Sequence, residues 1–310
     1  MAPTVLGDER TLPRGAPPRP EGAIEATRNH PPVRSEKLMK GYREIKRILV
    51  EELGFRDLAA YKKWIAEVRP TTHPTPEGIA KLSPDAVDCR AFWKVCDDLF
   101  GIDPVCNLAI APEVGRLPYA IETPMDVNRM TLRIAKSFGI TAFLEENAHA
   151  RLRVLEIGAG YGSLMNFVET HTNHVYLGVD AVPRVAGVIE TTQDGLLPRA
   201  LIERERGALS YIVATNVFQH LSTKQRAKYV EDARELLHAG GFLLFNLTVD
   251  TGKIAPCARD ADGNAWAIHY GQYTPIPTGS AAYDLATPLF NILYVTQRYD
   301  GLFNFVCQRP

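Results

Sequence analysis

The chain has 310 residues, with 35 Lys and Arg against 36 Asp and Glu, a formal net charge of −1 and a sequence pI near 6.7. That balance gives no global basic footprint, so a nucleic-acid polyanion is not the expected partner. A hydrophobic fraction of 45% is ordinary for a globular protein of one or two domains, and no stretch approaches the ~20 apolar residues that span a bilayer. The N-terminus lacks the apolar core of a secretion signal, because Asp8, Glu9, Arg10 and Arg14 interrupt it early. Five cysteines (Cys89, Cys96, Cys106, Cys257 and Cys307) form no C-x-x-C pair and read as reduced thiols, which makes a cytoplasmic location the expectation.

Residues 1–35 carry Pro3, Pro13, Pro17, Pro18, Pro20, Pro31 and Pro32 among Arg, Gly and Glu. Such a segment buries too little apolar surface to offset its ordering entropy and reads as a flexible arm, dispensable for ligand binding. From Ser35 to Val68, Leu38, Tyr42, Ile45, Ile48, Leu49, Leu53, Leu58, Tyr61 and Ile65 recur at helical spacing, broken at Gly54. The stretch Pro70–Pro76 separates this from further helical patterns at Ala86–Phe100 and Asp126–Phe138. Residues 36–150 thus form a mostly helical region, to be used as a cover over a site or for dimerisation or packing.

Val154–Ser163 (VLEIGAGYGS) is the most informative segment. An apolar run ends in a carboxylate and opens into a turn containing Gly158, Gly160 and Gly162 before a new helical pattern. Strand, glycine turn and helix in that order place a ligand site at the carboxyl edge of a doubly wound sheet. Val175–Val179 follows as a second short strand ending at Asp180, 22 residues after Gly158. An acid there can accept both hydroxyls of a ribose. His171 and His174, just before it, read as a polar helix end rather than as metal ligands. No third strand can be placed between Asp180 and Leu209, where Gln193-Asp194-Gly195 offers only a turn.

Leu209–Thr215 reads as the fourth strand, followed by Asn216-Val217-Phe218-Gln219-His220-Leu221. A helix over roughly Lys224–His238 is stopped by Gly240-Gly241, and Phe242–Leu247 supplies a fully apolar fifth strand. Asp250–Pro288 is too long for a plain connection and carries Trp266, His269, Tyr270, Gln272 and Tyr273. Rings with hydroxyl or imidazole tips in such a loop suit a sugar or aromatic acceptor. Phe290–Gln297 and Leu302–Gln308 close the chain as a hairpin about Asp300-Gly301.

Two cofactor classes use a turn of this kind. A dinucleotide pyrophosphate favours G-x-G-x-x-G and a helix start free of negative charge, whereas here the third glycine comes one residue early and Ser163 stands in the place the fingerprint reserves for glycine. An ammonium and a sulfonium are instead favoured beside an acid such as Glu156. The E-x-G-x-G-x-G string resembles the first motif of class I S-adenosylmethionine-dependent methyltransferases, and Asn216-Val217-Phe218-Gln219-His220-Leu221 is similar to their segment after the fourth strand. The resemblance covers about half the chain, from Arg151 to Leu247 plus the closing hairpin, and looks most like small-molecule, sugar O-methyltransferase-like members.

The resemblance implies an α/β, Rossmann-like doubly wound methyltransferase sheet over 151–310, with an antiparallel C-terminal strand and a mostly helical N-terminal region before it. It implies S-adenosylmethionine as cofactor, held by Glu156, Gly158, Gly160, Tyr161, Gly162, Asp180, Ala181, Asn216 and Val217. It implies methyl transfer to a small hydroxylated acceptor, with His220 as base, His269 as its rival, and Phe218, Tyr270 and Tyr273 against the acceptor. The acids that would hold a catalytic metal beyond the fourth strand are replaced by Asn-Val-Phe-Gln-His, so no metal is expected. A nucleic-acid methyltransferase is the alternative, but N-P-P-Y and D-P-P-Y are absent after the fourth strand. A nicotinamide-dependent oxidoreductase and a non-catalytic binding subunit are the alternatives from other classes.

Overall fold

The computed structural model describes residues 36–68, 82–100, 144, 146–160, 162–252, 258–299 and 301–310. The arm at 1–35, the helical pattern at Asp126–Phe138 and Tyr161 lie outside the described residues. Seven strands form one sheet: β1 (Arg153–Ile157), β2 (Val175–Asp180), β3 (Ile189–Glu190), β4 (Leu209–Ala214), β5 (Leu237–Thr248), β9 (Asn291–Tyr299) and β10 (Leu302–Gln308). Their order is β3-β2-β1-β4-β5-β10-β9. The first five run parallel, and β10 is antiparallel to both β5 and β9. Strand order reverses between β1 and β4, and the crevice outside their carboxyl ends is the ligand position of such sheets. This is the doubly wound sheet with an antiparallel closing strand that the sequence led us to expect.

The parallel strands are apolar on both faces because helices cover both. Leu155, Ile157, Ile212, Leu243, Phe245 and Phe305 share one core with Tyr229, Val230 and Ala233 of α6 (Thr223–Leu236). Val154, Tyr211, Val213, Leu244 and Val306 share the other with Leu164, Phe167 and Val168 of α4 (Ser163–His171). Ser222 opens α6 with a capping box: its hydroxyl accepts from the Gln225 amide, and the Gln225 side chain accepts from the Ser222 amide.

Three boundaries differ from the sequence expectation. A third strand exists, but β3 is only two residues long and leaves no periodic signal. The α6 helix ends at Leu236, so His238 is not helical, and β5 begins at Leu237 and runs through Gly240-Gly241 rather than after them. Leu209 pairs with Leu237 and Tyr211 with Phe242, an irregularity that absorbs the glycines into the strand.

The segment after β5, expected as a loop, folds into a second, antiparallel sheet of β6 (Ala258–Arg259), β7 (Ala265–His269) and β8 (Gln272–Pro275), then α7 (Gly279–Asp284). The β7–β8 turn, with Tyr270 at φ 52° and Gly271 at φ 80°, pushes into the N-terminal helices. These are α1 (Glu36–Arg47), a π-helical turn (Ile48–Glu52), α2 (Leu58–Val68) and α3 (Cys89–Phe100), packed around Phe55, Phe92 and Tyr270. A Cβ on Gly271 would lie 2.9 Å from Leu53, so only glycine admits this approach. The described residues from Glu36 onward cluster as one compact unit. No helix among the described residues is long and apolar enough to cross a membrane.

Candidate functional site

The turn after β1 is built from left-handed glycines, with φ of 77° at Gly158, 53° at Gly160 and 72° at Gly162. A Cβ at Gly158 would stand 2.4 Å from Cγ2 of Val217, so this glycine locks the turn to the segment following β4. At Gly160 a Cβ would meet nothing among the described residues, its chain neighbours aside, nearer than the Gly158 carbonyl at 4.0 Å. Asp180, at the end of β2, accepts the Gly160 amide and the Val182 amide, each at 2.8 Å, with Arg184 at 3.8 Å. Burial raises the Asp180 carboxyl above its ordinary range in spite of those amides and Arg184. Ala181 follows it, half-buried.

Glu156 is buried beneath the turn and accepts from the Tyr176 hydroxyl at 2.5 Å. Burial pushes its carboxyl up to about 8, the Tyr176 bond opposing and Asp180 adding to the shift. A carboxyl whose pKa rises on folding from 4.5 stabilises the native state fully below pH 4.5 and loses that contribution as pH climbs through about 8. Glu156→Gln should therefore melt above wild type at pH 8.5 in the absence of ligand, with the gap closing at pH 4.5. A difference in Tm that does not change with pH would show that the wild-type carboxyl does not titrate in this window.

Beyond β4 the chain turns sharply at Asn216, a non-glycine residue at φ 58°. Asn246 of β5 holds it: its Oδ1 accepts the Asn216 amide at 2.6 Å and its Nδ2 donates to the Asn216 Oδ1 at 2.8 Å. The sequence marked Asn216 and passed over Asn246, although a lone amide in the apolar run FLLFNL was its signal. Phe218 does not line an acceptor wall. It is fully buried and stacks on Phe245 at 4.6 Å, which in turn stacks on Phe305 at 4.9 Å, and so anchors the short 3-10 turn Phe218–His220 in the core.

His220 remains half-buried at the edge of that turn, its ring edge-on to Trp93 at 5.0 Å and to His269 at 4.6 Å. The two histidines named from the sequence are thus brought together. His220 Nδ1 has no hydrogen-bond partner among the described residues. Burial, then His269 and Arg226, hold its pKa well below 6.5, so the imidazole is neutral and able to accept a proton at physiological pH. The buried Arg226 guanidinium donates to the Phe218 carbonyl at 2.7 Å and the Pro275 carbonyl at 2.8 Å, tying the His220 turn to β8.

On the small sheet, His269 pairs with Gln272 and Ala267 with Thr274, which puts His269, Gln272 and Thr274 on one face. Gln272 is 2% exposed and Thr274 is 0% exposed, and Gln272 Oε1 and Thr274 Oγ1 find no partner among the described residues. Neither was singled out as a site residue from the sequence, because the loop expected there hid the alternation. Tyr273 sits half-buried on the opposite face, away from His269. Tyr270 is committed to packing, stacked on Phe100 at 5.0 Å and against Tyr61 at 4.9 Å, with its amide bonded to the Tyr61 hydroxyl. It belongs to the helical core rather than to an acceptor wall.

Helix α3 is fastened to the carboxyl edge of the sheet. Arg90 pairs with Glu190 at 3.0 Å, Asp97 with Arg184 at 2.9 Å, and the Cys89 amide donates to the Gln193 carbonyl at 2.9 Å. Gln225 and Tyr229 hold the Asp194 and Gly195 carbonyls of the same turn. Burial pushes the Cys89 thiol up to about 12 and Cys96 well above its ordinary range, so neither is a nucleophile at neutral pH. Among the described residues no three His, Cys, Asp or Glu side chains gather as metal ligands would. His174 instead spends its ring on the carbonyls of Leu144 and Ala150.

No family model matches the chain, and no curated protein matches it. Solved structures similar to it include the PH0226 protein of Pyrococcus horikoshii OT3, at 14% identity over 58% of this chain and 91% of that one, with a TM-score of 0.43. An S-adenosylmethionine-dependent methyltransferase of Mesorhizobium loti is 14% identical over 51% of this chain and 91% of its own, with a TM-score of 0.35. The 1,6-didemethyltoxoflavin-N1-methyltransferase of Burkholderia thailandensis, solved with 1,6-didemethyltoxoflavin and S-adenosylhomocysteine, is 13% identical over 62% and 93%, with a TM-score of 0.40.

Proposed function

We propose that the protein is an S-adenosylmethionine-dependent methyltransferase acting on an oxygen of a small hydroxylated acceptor, a sugar or secondary metabolite. The observation that carries this reading is the interlock of the glycine turn with the His220 segment. Val217 packs on Gly158, and the Val217 carbonyl accepts the His220 amide at 2.9 Å. The glycine turn after β1 is thereby joined to the His220 segment after β4 at the carboxyl edge of the sheet, where the strand order reverses.

The residues present suit the cofactor. Glu156 would face the methionyl ammonium, Asp180 the ribose hydroxyls, and the glycine turn would admit the chain between them. When bound, S-adenosylmethionine supplies an electrophilic methyl on a good thioether leaving group. His220 would take the proton from the acceptor hydroxyl as its oxygen bonds to the methyl carbon and the carbon–sulfur electron pair passes to sulfur. Holding nucleophile and methyl in line is the larger part of the task, an orientation effect of about 7–11 kcal/mol. Gln272 Oε1 and Thr274 Oγ1, on the face that carries His269, would receive the acceptor's neighbouring hydroxyls.

Calorimetry tests the cofactor directly. S-adenosylhomocysteine should bind the purified protein and NAD should not. Tight NAD binding with no response to S-adenosylhomocysteine would falsify the reading.

A further inference from the structure

We infer that Asn246 is a positioning residue of the cofactor site: it holds the turn at Asn216 in its left-handed form and so sets the floor on which the methionyl end of the cofactor rests. The inference rests on the function proposed above. It stands on a chain of contacts that runs from Asn246 through Asn216 and Val217 to Gly158.

A left-handed φ at a residue that carries a Cβ is strained unless its surroundings hold it. Among the described residues, the side chain that hydrogen-bonds Asn216 is Asn246. Asn246 is 0% exposed and engages both the backbone and the amide of Asn216. Its neighbours along β5, Leu244 on the same face and Phe245 and Leu247 on the other, are apolar core, and the buried Asn304 lies opposite it on β10. A buried amide in that run is costly unless it is hydrogen-bonded, and its bonds go to the turn. The next residue after the turn, Val217, is the one whose methyl fills the space a Cβ at Gly158 would need. Any relaxation of Asn216 toward an ordinary φ therefore moves Val217 off Gly158, and the glycine turn loses its neighbour. The strand-end asparagine thus acts on the cofactor through two intervening residues.

The coupling between Asn246 and Asn216 is read by a double-mutant cycle without knowledge of the acceptor. In the native background Asn246→Ala should weaken S-adenosylhomocysteine binding about tenfold or more, since the turn loses the clamp that holds its left-handed φ. In the Asn216→Gly background a left-handed φ is free of strain. There the same Asn246→Ala change should cost no more than about threefold. Leu243→Ala, buried in the same strand but away from the turn, serves as a control for general destabilisation and should leave the dissociation constant near wild type while lowering Tm. If Asn246→Ala does not fold, Asn246→Asp replaces it. This variant keeps the acceptor for the Asn216 amide but loses the donor to Asn216 Oδ1, and the same dependence on the residue at 216 is expected. Equal losses in both backgrounds, or no loss in the native one, would overturn the inference. A wild-type protein that binds no S-adenosylhomocysteine at all would instead overturn the proposed function, so the two failures are distinct.

Discussion

His220→Ala is expected to lower turnover by about 10²–10⁴-fold while leaving the affinity for S-adenosylhomocysteine nearly unchanged, the signature of a lost proton acceptor rather than of lost binding. The structure sharpens the pH dependence expected from an ordinary histidine. Burial, His269 and Arg226 keep the imidazole neutral to well below pH 6.5, so the wild-type rate should be flat through neutrality and fall only on a displaced acid limb. The same shift has a stability consequence. A histidine whose folded pKa is lowered stabilises the native state above the unfolded value of 6.5 and loses that contribution as pH falls toward the folded one. His220→Ala should therefore be less acid-sensitive in thermal melts than wild type. A variant with near-normal turnover would pass the proton to His269, whose ring lies 4.6 Å away, or leave catalysis to orientation alone.

The second large effect is expected at Gly158. Gly158→Ala combines a left-handed φ of 77° with a Cβ that would stand 2.4 Å from Val217 Cγ2. Backbone strain and overpacking each cost on the order of 1–3 kcal/mol. Their sum should lower Tm by roughly 5–15 °C. It should also abolish measurable S-adenosylhomocysteine binding, because Val217 can yield only by moving the chain that carries His220. Gly160→Ala provides the contrast. It carries φ strain but, its chain neighbours aside, meets no atom among the described residues closer than 4.0 Å, so its Tm should fall less even though its methyl enters the cofactor space. Equal melting of Gly158→Ala and wild type would show that the two turns are not interlocked.

Most of the sheet was legible in the sequence because its strands are short apolar runs ended by turn residues. VLEI before Gly158, VYLGV before Asp180 and LSYIVAT before Asn216 are unbroken, as buried parallel strands must be. Ile189–Glu190 escaped because two residues carry no period. The start of β5 escaped because Leu237-His238-Ala239-Gly240-Gly241 looks like a helix end, and its strand character comes from pairing with β4 and from the Arg309 carbonyl and amide, which bond Gly240 and Gly241.

The local chemistry of the turns was within reach of the sequence: glycine tolerates left-handed φ, a carboxylate at a strand end meets whatever binds there, and apolar runs between them must be buried. Which polar group faces which partner was decided only by tertiary structure. Phe218 and Tyr270 have the same composition signal as acceptor-lining rings, yet stacking on Phe245 and on Phe100 takes them into two separate cores. His220 and His269 stand 49 positions apart and become neighbours because Arg226 binds carbonyls on both the post-β4 turn and β8. Asn246 acquires meaning only when β5 lies beside β4, since a side chain's hydrogen-bond partner across a sheet depends on register, and register is a property of the packed strands together.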